Sequence, residues 1–251
     1  MLTSLDHLVV LVRDLDRAVG DYGALGFEVT LGGEHADGLT RNALIPFEDG
    51  SYLELVAFVD PEDTRDNIWG WRPFLCCGGG LIDYCAASDD LGADVRRLED
   101  LGFAVEGPTE GGRRLPDGAE IRWRTARVRQ DGRLLPFLIE DLTPRERRVP
   151  AAEHPNGASG ISCLDIATPD AAGAAAFLAA LIGAKGASEK RLSLGACTLS
   201  PVAPEECEAA SRRLGATGPG PLSVRVAADA HGGELDRQLS HGVAIRLLRR
   251  G

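Results

Sequence analysis

The stretch that decides the fold is DLDRAVGDYGALGFEV, from Asp14 to Val29, because it recurs later in the same chain. From Asp90 to Val105 the sequence is DLGADVRRLEDLGFAV, which repeats the Asp-Leu start and the Leu-Gly-Phe-x-Val end without a gap. A match of this kind at one fixed spacing indicates an internal duplication, which must be recognised before any fold is assigned.

Each copy contains the signals of one strand, one helix and three further strands. An aspartate precedes apolar residues with helical spacing, and a glycine follows them, as at the two ends of a capped helix. In the first copy the later strands are predicted at 27–30, 42–47 and Tyr52–Phe58, the last two being separated by a Glu-Asp-Gly turn. We therefore predict two βαβββ modules, at residues 3–59 and 80–142.

The C-terminal part of the chain repeats this pattern incompletely. A strand, an alanine-rich helix introduced by an aspartate and a hairpin predict a shortened third module. A fourth fragment predicts strand, helix and strand, with the helix at 231–240. The acidic, Gly-Pro-rich segment 204–221 is the best internal boundary of this part. We predict one domain of two modules at 1–150 and a degenerate, shortened copy at 151–251.

These modules resemble the vicinal oxygen chelate superfamily, and most closely its glyoxalase-like domain proteins. The residues that carry the resemblance are Leu5-Asp6-His7, Leu25-Gly26-Phe27, Asn42-Ala43-Leu44, Tyr52-Leu53-Glu54-Leu55, Pro136-Phe137-Leu138-Ile139-Glu140 and His154-Pro155-Asn156-Gly157. The resemblance covers residues 3 to 170 well and the rest weakly. It implies an α+β fold in which repeated βαβββ modules form a curled mixed sheet shaped like a cup.

The resemblance also implies a divalent metal ion inside the cup, held by the first and last strands of each module. Carried over residue by residue, the ligand set is His7, Glu54, Asp83 and Glu140. Asp83 departs from the pattern, because the family usually has His or Gln there. This oxygen-rich set suits Mn²⁺ or Mg²⁺, with Ni²⁺ or Zn²⁺ as alternatives. An iron dioxygenase is disfavoured, since it needs two histidines and one carboxylate.

Glu54 and Glu140 are the candidate catalytic residues, because a mobile carboxylate can move a proton beside a chelated enolate. If Leu53 and Leu55 pack under the helices, the alternation of a strand points Glu54 into the cup. Candidate substrate-binding residues come from strands and a linker that should line the cup. They are Arg41, Asn42, Trp69, Trp71, Trp123, Arg124, Phe137 and His154.

Several of these residues also have an ordinary structural explanation. His7 fits a satisfied buried histidine, and Glu140 fits a solvated strand end. His154 is either a histidine in a turn or an imidazole that reaches into the cup. His35 lies in a polar loop and is expected to be exposed. The arginine-rich run at 145–148 is most simply a solvated face.

The amino-acid composition argues against two classes of binding partner. The 251 residues carry 27 Lys+Arg against 38 Asp+Glu, for a net charge of −11, which argues against nucleic acid and against polybasic membrane attachment. The start Met-Leu-Thr-Ser-Leu-Asp does not read as a signal peptide and no stretch is apolar enough for a span, so we expect a cytoplasmic protein.

Two functions are compatible with these observations. The first is a metal-dependent lyase or isomerase that acts on a small polar metabolite by chelating vicinal oxygens, with carboxylate proton transfer. The second is a non-catalytic protein that binds a small molecule, as resistance-type proteins of the superfamily do. The degenerate C-terminal copy is in addition a candidate surface for a homodimer.

Overall fold

The computed structural model describes residues 1–115, 118–184, 191–229 and 232–250. Within these ranges the chain forms two mixed sheets and five α-helices, none of which is long and apolar enough to cross a bilayer. The first sheet contains β1 (Leu2–Leu11), β2 (Thr30–Glu34), β3 (Thr40–Pro46), β4 (Tyr52–Phe58), β5 (Gly80–Ser88), β6 (Val105–Arg114), β7 (Glu120–Val128) and β8 (Phe137–Asp141).

The second sheet contains β9 (Ala158–Ala167), β10 (Leu192–Leu194), β11 (Cys197–Val202), β12 (Gly220–Ala228), β13 (Gly233–Glu234) and β14 (Ala244–Arg249). The helices are α1 (Leu15–Ala24), α2 (Leu91–Asp100), α3 (Arg145–Arg148), α4 (Ala171–Ile182) and α5 (Glu208–Thr217), and a 3-10 helix spans Arg72–Cys77.

The first sheet consists of two βαβββ modules, so the predicted α+β fold is confirmed. Its strand order is β2-β3-β4-β1-β5-β8-β7-β6. In each module the first strand runs parallel to the last, and β1 and β5 join the modules as an antiparallel pair. The sheet curls until its two edges meet, where His35 forms a β-bridge with Arg113. The curled sheet therefore forms a cup whose side wall is closed at this bridge.

The helix ends follow the signals of the repeat. Asp14, Asp90 and Asp170 each accept a hydrogen bond from the backbone N–H three residues on. Gly26 and Gly102, one residue beyond the C-caps of α1 and α2, have φ of +85° and +88°. A left-handed residue is needed there to turn the chain back toward the sheet, and glycine adopts that conformation without strain.

Three local expectations differ from the structure. β2 begins at Thr30 rather than at 27, because Phe27 N–H still bonds to the Tyr22 carbonyl in the turn after α1. Segment 204–221 contains α5, since its alanines, glutamates and arginines favour a helix between the flanking Gly and Pro. The fourth fragment has turns and β13 at 232–240 instead of the predicted helix, whose first residue lies outside the described ranges.

One apolar core fills the space between the two sheets. Leu8 and Val10 of β1 face this core together with Leu53 and Leu55 of β4 and side chains of the second sheet. Alternate residues of the same strands face the concave side, where a smaller apolar cluster closes around Trp71 from the segment between the modules. Each large side chain buried in this way contributes about 1.5–3 kcal/mol.

The glycines after the 3-10 helix allow a matched test of this packing. Gly78 and Gly79 both have positive φ, at +92° and +76°. A Cβ on Gly79 would lie 2.3 Å from the backbone oxygen of Leu11, whereas a Cβ on Gly78 meets nothing within 4 Å. We expect Gly79→Ala to lower the free energy of unfolding by at least about 1 kcal/mol more than Gly78→Ala, measured by urea denaturation. Equal losses would contradict the close approach.

Candidate functional site

The concave face of the first sheet encloses a cavity of about 60 Å³. Its polar lining residues are His7, His35, Asn42, Glu54, Arg113, Thr125 and Arg148. Its aromatic lining residues are Tyr52, Trp69, Trp71, Trp123 and Phe137. A wider cavity of about 220 Å³ shares His35, Thr125 and the three tryptophans with it, so the two cavities adjoin.

Glu54 is the carboxylate of this cavity. Its neighbours in β4 face the core, so alternation along the strand turns Glu54 to the concave side. His7 Nε2 lies 3.4 Å from Glu54 Oε2, and His35 Nε2 lies 3.5 Å from Oε1. The Asn42 amide donates a hydrogen bond of 2.5 Å to Oε1. The carboxylate therefore has an imidazole on each of its two oxygens.

The surroundings of Glu54 keep it ionised. Burial by itself raises the pKa of this carboxyl group, but its hydrogen bond with His35, the charges of His7 and His35 and the Asn42 amide outweigh burial and lower the pKa to about 2. At neutral pH the inner cavity thus contains a fixed negative charge between two imidazoles.

His7 is oriented by a second, deeper carboxylate. His7 Nδ1 lies 2.7 Å from Asp6 Oδ1, and the Asp6 side chain is completely buried. Burial raises the pKa of Asp6, but Arg148, His7 and Arg145 hold it well below its usual range. Because the ionised Asp6 only accepts hydrogen bonds, Nδ1 carries the proton and the ring turns Nε2 toward Glu54.

Arg148, on α3 after the second module, places a positive charge beside Asp6. Its guanidinium donates to Asp6 at 2.9 and 3.1 Å, to Asp141 at 2.5 and 2.9 Å and to the Tyr52 hydroxyl at 2.7 Å. Arg148 is only 2% exposed, so the prediction of a solvated face at 145–148 is wrong for this residue. Its burial is favourable because it contacts two carboxylates, one of which, Asp6, is distant in sequence.

Glu140 and Arg124 lie outside the cavity. The register of β7 and β8 pairs them directly across the strands, and Arg124 donates to Glu140 at 2.6 Å. The adjacent residues Trp123 and Ile139 line the cavity instead. Because alternate residues face opposite sides of a sheet, Glu140 and Arg124 point to the outer side, away from His7. Neither Glu140 nor Arg124 is among the side chains that line the cavity.

Asp83 lies beside the cavity, but its carboxylate already has partners. The Trp71 indole N–H donates to it at 2.9 Å, Arg133 Nε lies 3.5 Å away, and the backbone N–H of Tyr84 donates at 2.9 Å. Burial raises the pKa of Asp83 against the lowering effects of Arg133 and Trp71. The side chain therefore anchors the segment between the modules.

Strand register identifies the true counterparts of the first-module pair. In the first module His7 lies opposite the first residue of β4, and Glu54 follows two positions on. In the second module Cys85 lies opposite the first residue of β8, and Ile139 follows two positions on. His7 and Cys85 also face each other across β1 and β5. The helix spacing pointed to Asp83 because α1 begins eight residues after His7, whereas α2 begins only six residues after Cys85.

The implied four-ligand metal centre does not fit these residues. Only His7 and Glu54 of the predicted set face each other, and the Ile139 side chain has no donor atom. Asp6, His7 and Cys85 do form a cluster of potential ligand atoms within 4.8 Å of one another. However, Asp6 is neutralised by two arginines, and burial raises the pKa of the Cys85 thiol.

Two further predicted substrate-binding residues have structural roles elsewhere. Arg41 pairs with Asp16 of α1 at 3.0 Å on the outer side of the sheet. His154 lies outside the residues that line the cavity, since its Nδ1 accepts from the Glu28 N–H at 3.0 Å and its Nε2 lies 2.8 Å from the Pro46 carbonyl oxygen. His154 therefore joins the start of the second half to the first module.

Six residues that line the cavity were not among the predicted site residues: His35, Tyr52, Arg113, Thr125, Ile139 and Arg148. His35 was expected to be exposed, but its ring contacts Thr40 Oγ1 at 2.8 Å and lines the cavity. Arg113 is 6% exposed and faces inward, whereas the next residue, Arg114, is exposed. The extent of β2 would have indicated His35, because the strand continues to Glu34, the residue before His35, and does not end at Thr30.

Comparison with known proteins agrees with the geometry of the fold. A family model described as a glyoxalase-like domain matches residues 5–182. The chain belongs to this glyoxalase-like family. No curated protein matches the chain.

Solved structures provide similar folds at low sequence identity. A hypothetical protein from Staphylococcus aureus is 14% identical, with a TM-score of 0.74 over 100% of both chains. A mutant of 4-hydroxymandelate synthase from Streptomyces coelicolor is 16% identical, with a TM-score of 0.62 over 91% of this chain and 72% of its own. A methylmalonyl-CoA epimerase from Mycobacterium tuberculosis is 26% identical, with a TM-score of 0.43 over 58% of this chain and 92% of its own. The first two show the fold alone.

Removal of the Asp6 charge tests the buried cluster. Asp6→Asn leaves Arg148 short of a counter-charge inside the protein, and we expect a loss of about 3 kcal/mol in the free energy of unfolding. The matched control is Asp16→Asn, which breaks the exposed pair with Arg41 and should cost no more than about 1 kcal/mol. Urea denaturation of both variants measures the difference, and similar losses would contradict a central role for Asp6.

The buried His154 predicts a specific acid sensitivity. Burial lowers the pKa of His154 below 6.5, despite the Pro46 carbonyl and Glu28, which raise it. Its contribution to stability is therefore complete above pH 6.5 and is lost as the pH falls toward the folded-state pKa, because a protonated Nδ1 cannot accept from Glu28. We expect thermal melting of His154→Gln to depend less on pH between 7 and 5 than that of the wild type. Parallel curves would refute this explanation.

Proposed function

We propose that the cavity is the active site of a lyase or isomerase that moves a proton on a small polar metabolite. Glu54 is the proposed catalytic carboxylate. The observation that supports this most is its position: an ionised, buried carboxylate that lines an aromatic cavity and has an imidazole nitrogen near each oxygen. A carboxylate within reach of a carbon acid acts as a general base, and imidazoles exchange the proton onward.

The neighbours of Glu54 in this structure make it a weak base. With a pKa of about 2, the carboxylate is ionised but has little tendency to take a proton. A negatively charged substrate placed beside it adds an opposing charge, and one that draws away the Asn42 amide removes a hydrogen bond. Both effects raise the pKa of Glu54 toward the range in which a base works well. Substrate binding would therefore activate the residue that attacks it.

Other cavity residues would assist the developing charge. When a proton leaves the carbon beside a carbonyl group, negative charge moves to the carbonyl oxygen. The Asn42 amide and the Arg113 guanidinium are two donors in the inner cavity that can stabilise that oxygen. The Nε2 atoms of His7 and His35 lie where a proton on Glu54 can be passed on.

The proposed divalent ion is Mn²⁺, Mg²⁺, Ni²⁺ or Zn²⁺. Of its four predicted ligands, only His7 and Glu54 lie next to each other. Such an ion supplies Lewis-acid polarisation of vicinal oxygens when it is bound. The proton path described above uses only residues of the chain. Metal analysis of the purified protein, with and without added Mg²⁺ or Zn²⁺, measures this part of the proposal separately.

Proton exchange tests the catalytic proposal without knowledge of the full reaction. The wild type is incubated in D₂O with a panel of 2-oxo and 2-hydroxy acids, with added Mg²⁺ or with EDTA, and loss of the carbon-bound proton is followed by NMR. We expect Glu54→Gln to slow exchange of the accepted compound by about 100-fold or more. Glu140→Gln is the matched control, because Glu140 points outward, and it should exchange at the wild-type rate.

A non-catalytic binding protein is the second candidate function. The observation that favours it is Ile139, an alkyl side chain at the position that corresponds to Glu54 in the second module. If panel members change the fluorescence of the cavity tryptophans but none exchanges faster than in buffer, binding replaces catalysis as the function. Exchange that is equally fast in Glu54→Gln would remove Glu54 from the catalytic role.

A further inference from the structure

We infer that the ligand of this cup is an aromatic or similarly flat carboxylate, whose anionic group is received by Arg113 and whose ring lies among the tryptophans. This inference names a substrate class for the proposed function and rests on the same cavity. It does not require that Glu54 catalyse a reaction.

Arg113 is a buried cation that the protein does not neutralise directly. Its Nη1 donates to the Asn42 side-chain oxygen at 3.3 Å, and its Nη2 donates to the Arg148 carbonyl oxygen at 2.6 Å. Its Nε is buried without a hydrogen-bond partner. Over the described part of the chain, no carboxylate lies within 4.0 Å of the guanidinium. Arg148, by contrast, contacts two carboxylates.

Asn42 separates Arg113 from the nearest negative charge. The oxygen of the Asn42 amide accepts from Arg113, while its nitrogen donates to Glu54. The backbone leaves space for this arrangement, because a Cβ on Gly32 would lie 2.0 Å from Asn42 Oδ1 and 2.7 Å from Arg113 Nη1. A buried guanidinium without a carboxylate is costly, and an anionic ligand group offsets that cost.

The wider cavity next to Arg113 suits a flat apolar body. The rings of Trp69 and Trp71 stack with centroids 5.9 Å apart and an angle of 20° between their planes. Trp123 lies over Gly111, where a Cβ would come within 2.6 Å of the indole nitrogen. On the same wall, the Asn67 amide nitrogen is buried without a partner. Polar residues, among them Asp37 and Glu110, also line this cavity, and the three indoles are the part of its wall that favours an aromatic ring.

The positions of Arg113 and the tryptophans along the cup indicate where the two parts of the ligand would lie. Arg113 lines the inner cavity, whereas all three tryptophans line both the inner and the wider cavity. A carboxylate held by Arg113 therefore leaves its ring between Trp69, Trp71 and Trp123. The carbon next to the carboxylate then lies in the part of the cavity that Glu54 lines.

Isothermal titration calorimetry with three probes tests this inference. Benzoate has ring and charge, benzamide has the same shape without the charge, and acetate has the charge without the ring. We expect the wild type to bind benzoate at least about tenfold more tightly than either of the others. Arg113→Gln should lose the preference for benzoate over benzamide, and Arg113→Lys should keep part of it. The matched control is Arg114→Gln, because Arg114 is exposed and pairs with Glu120.

Two results would overturn the inference: equal affinity of the wild type for benzoate and benzamide, or an unchanged benzoate preference in Arg113→Gln. Circular dichroism establishes that each variant folds, and if Arg113→Gln does not, the wild-type probes and Arg113→Lys decide. Glu54→Gln removes a nearby negative charge and should bind benzoate at least as tightly as the wild type. Benzoate binding by a wild type that accelerates no proton exchange in the panel would therefore count against the catalytic proposal alone.

Discussion

The completely buried carboxylate of Asp6 is the group on which the arrangement of the site depends. A lone charge in that position would be strongly unfavourable, so the fold must bring arginines to it. Arg148, on the short α3 after the second module, meets Asp6 on the first strand of the first module. The same carboxylate accepts a hydrogen bond from His7 Nδ1–H. One ion cluster therefore joins the two modules and orients an imidazole in the cavity.

Duplication has preserved the cup but not a symmetric site. His7 and Glu54 face the cavity from the first module, while the corresponding residues of the second are Cys85 and Ile139. The second half of the cup is occupied by aromatic side chains, above all Trp71, whose indole N–H is held by Asp83. The cup therefore has one polar half and one apolar half.

The fold was largely predictable from the sequence, and the site only in part. Aspartate caps and Leu-Gly-Phe helix ends are local signals, so the modules followed directly from the repeat. Leu53 and Leu55 beside Glu54 indicated its direction, because the face of β4 that they form with Ala57 contains no polar residue. The direction of Glu140 was less clear, since its two neighbours on the opposite face of β8 are the apolar Ile139 and the charged Asp141. Arg148 could not be placed, because its burial depends on Asp6, 142 residues away.

Glu54 stays ionised in the cavity because its imidazole and amide neighbours lower its pKa by more than burial raises it. The most direct measurement is a pH titration of the ¹³C chemical shift of the Glu54 carboxyl group, assigned by comparison with Glu54→Gln. The structure predicts a pKa of about 2. A pKa above the ordinary value of 4.5 would show that burial dominates and would contradict the account of the site.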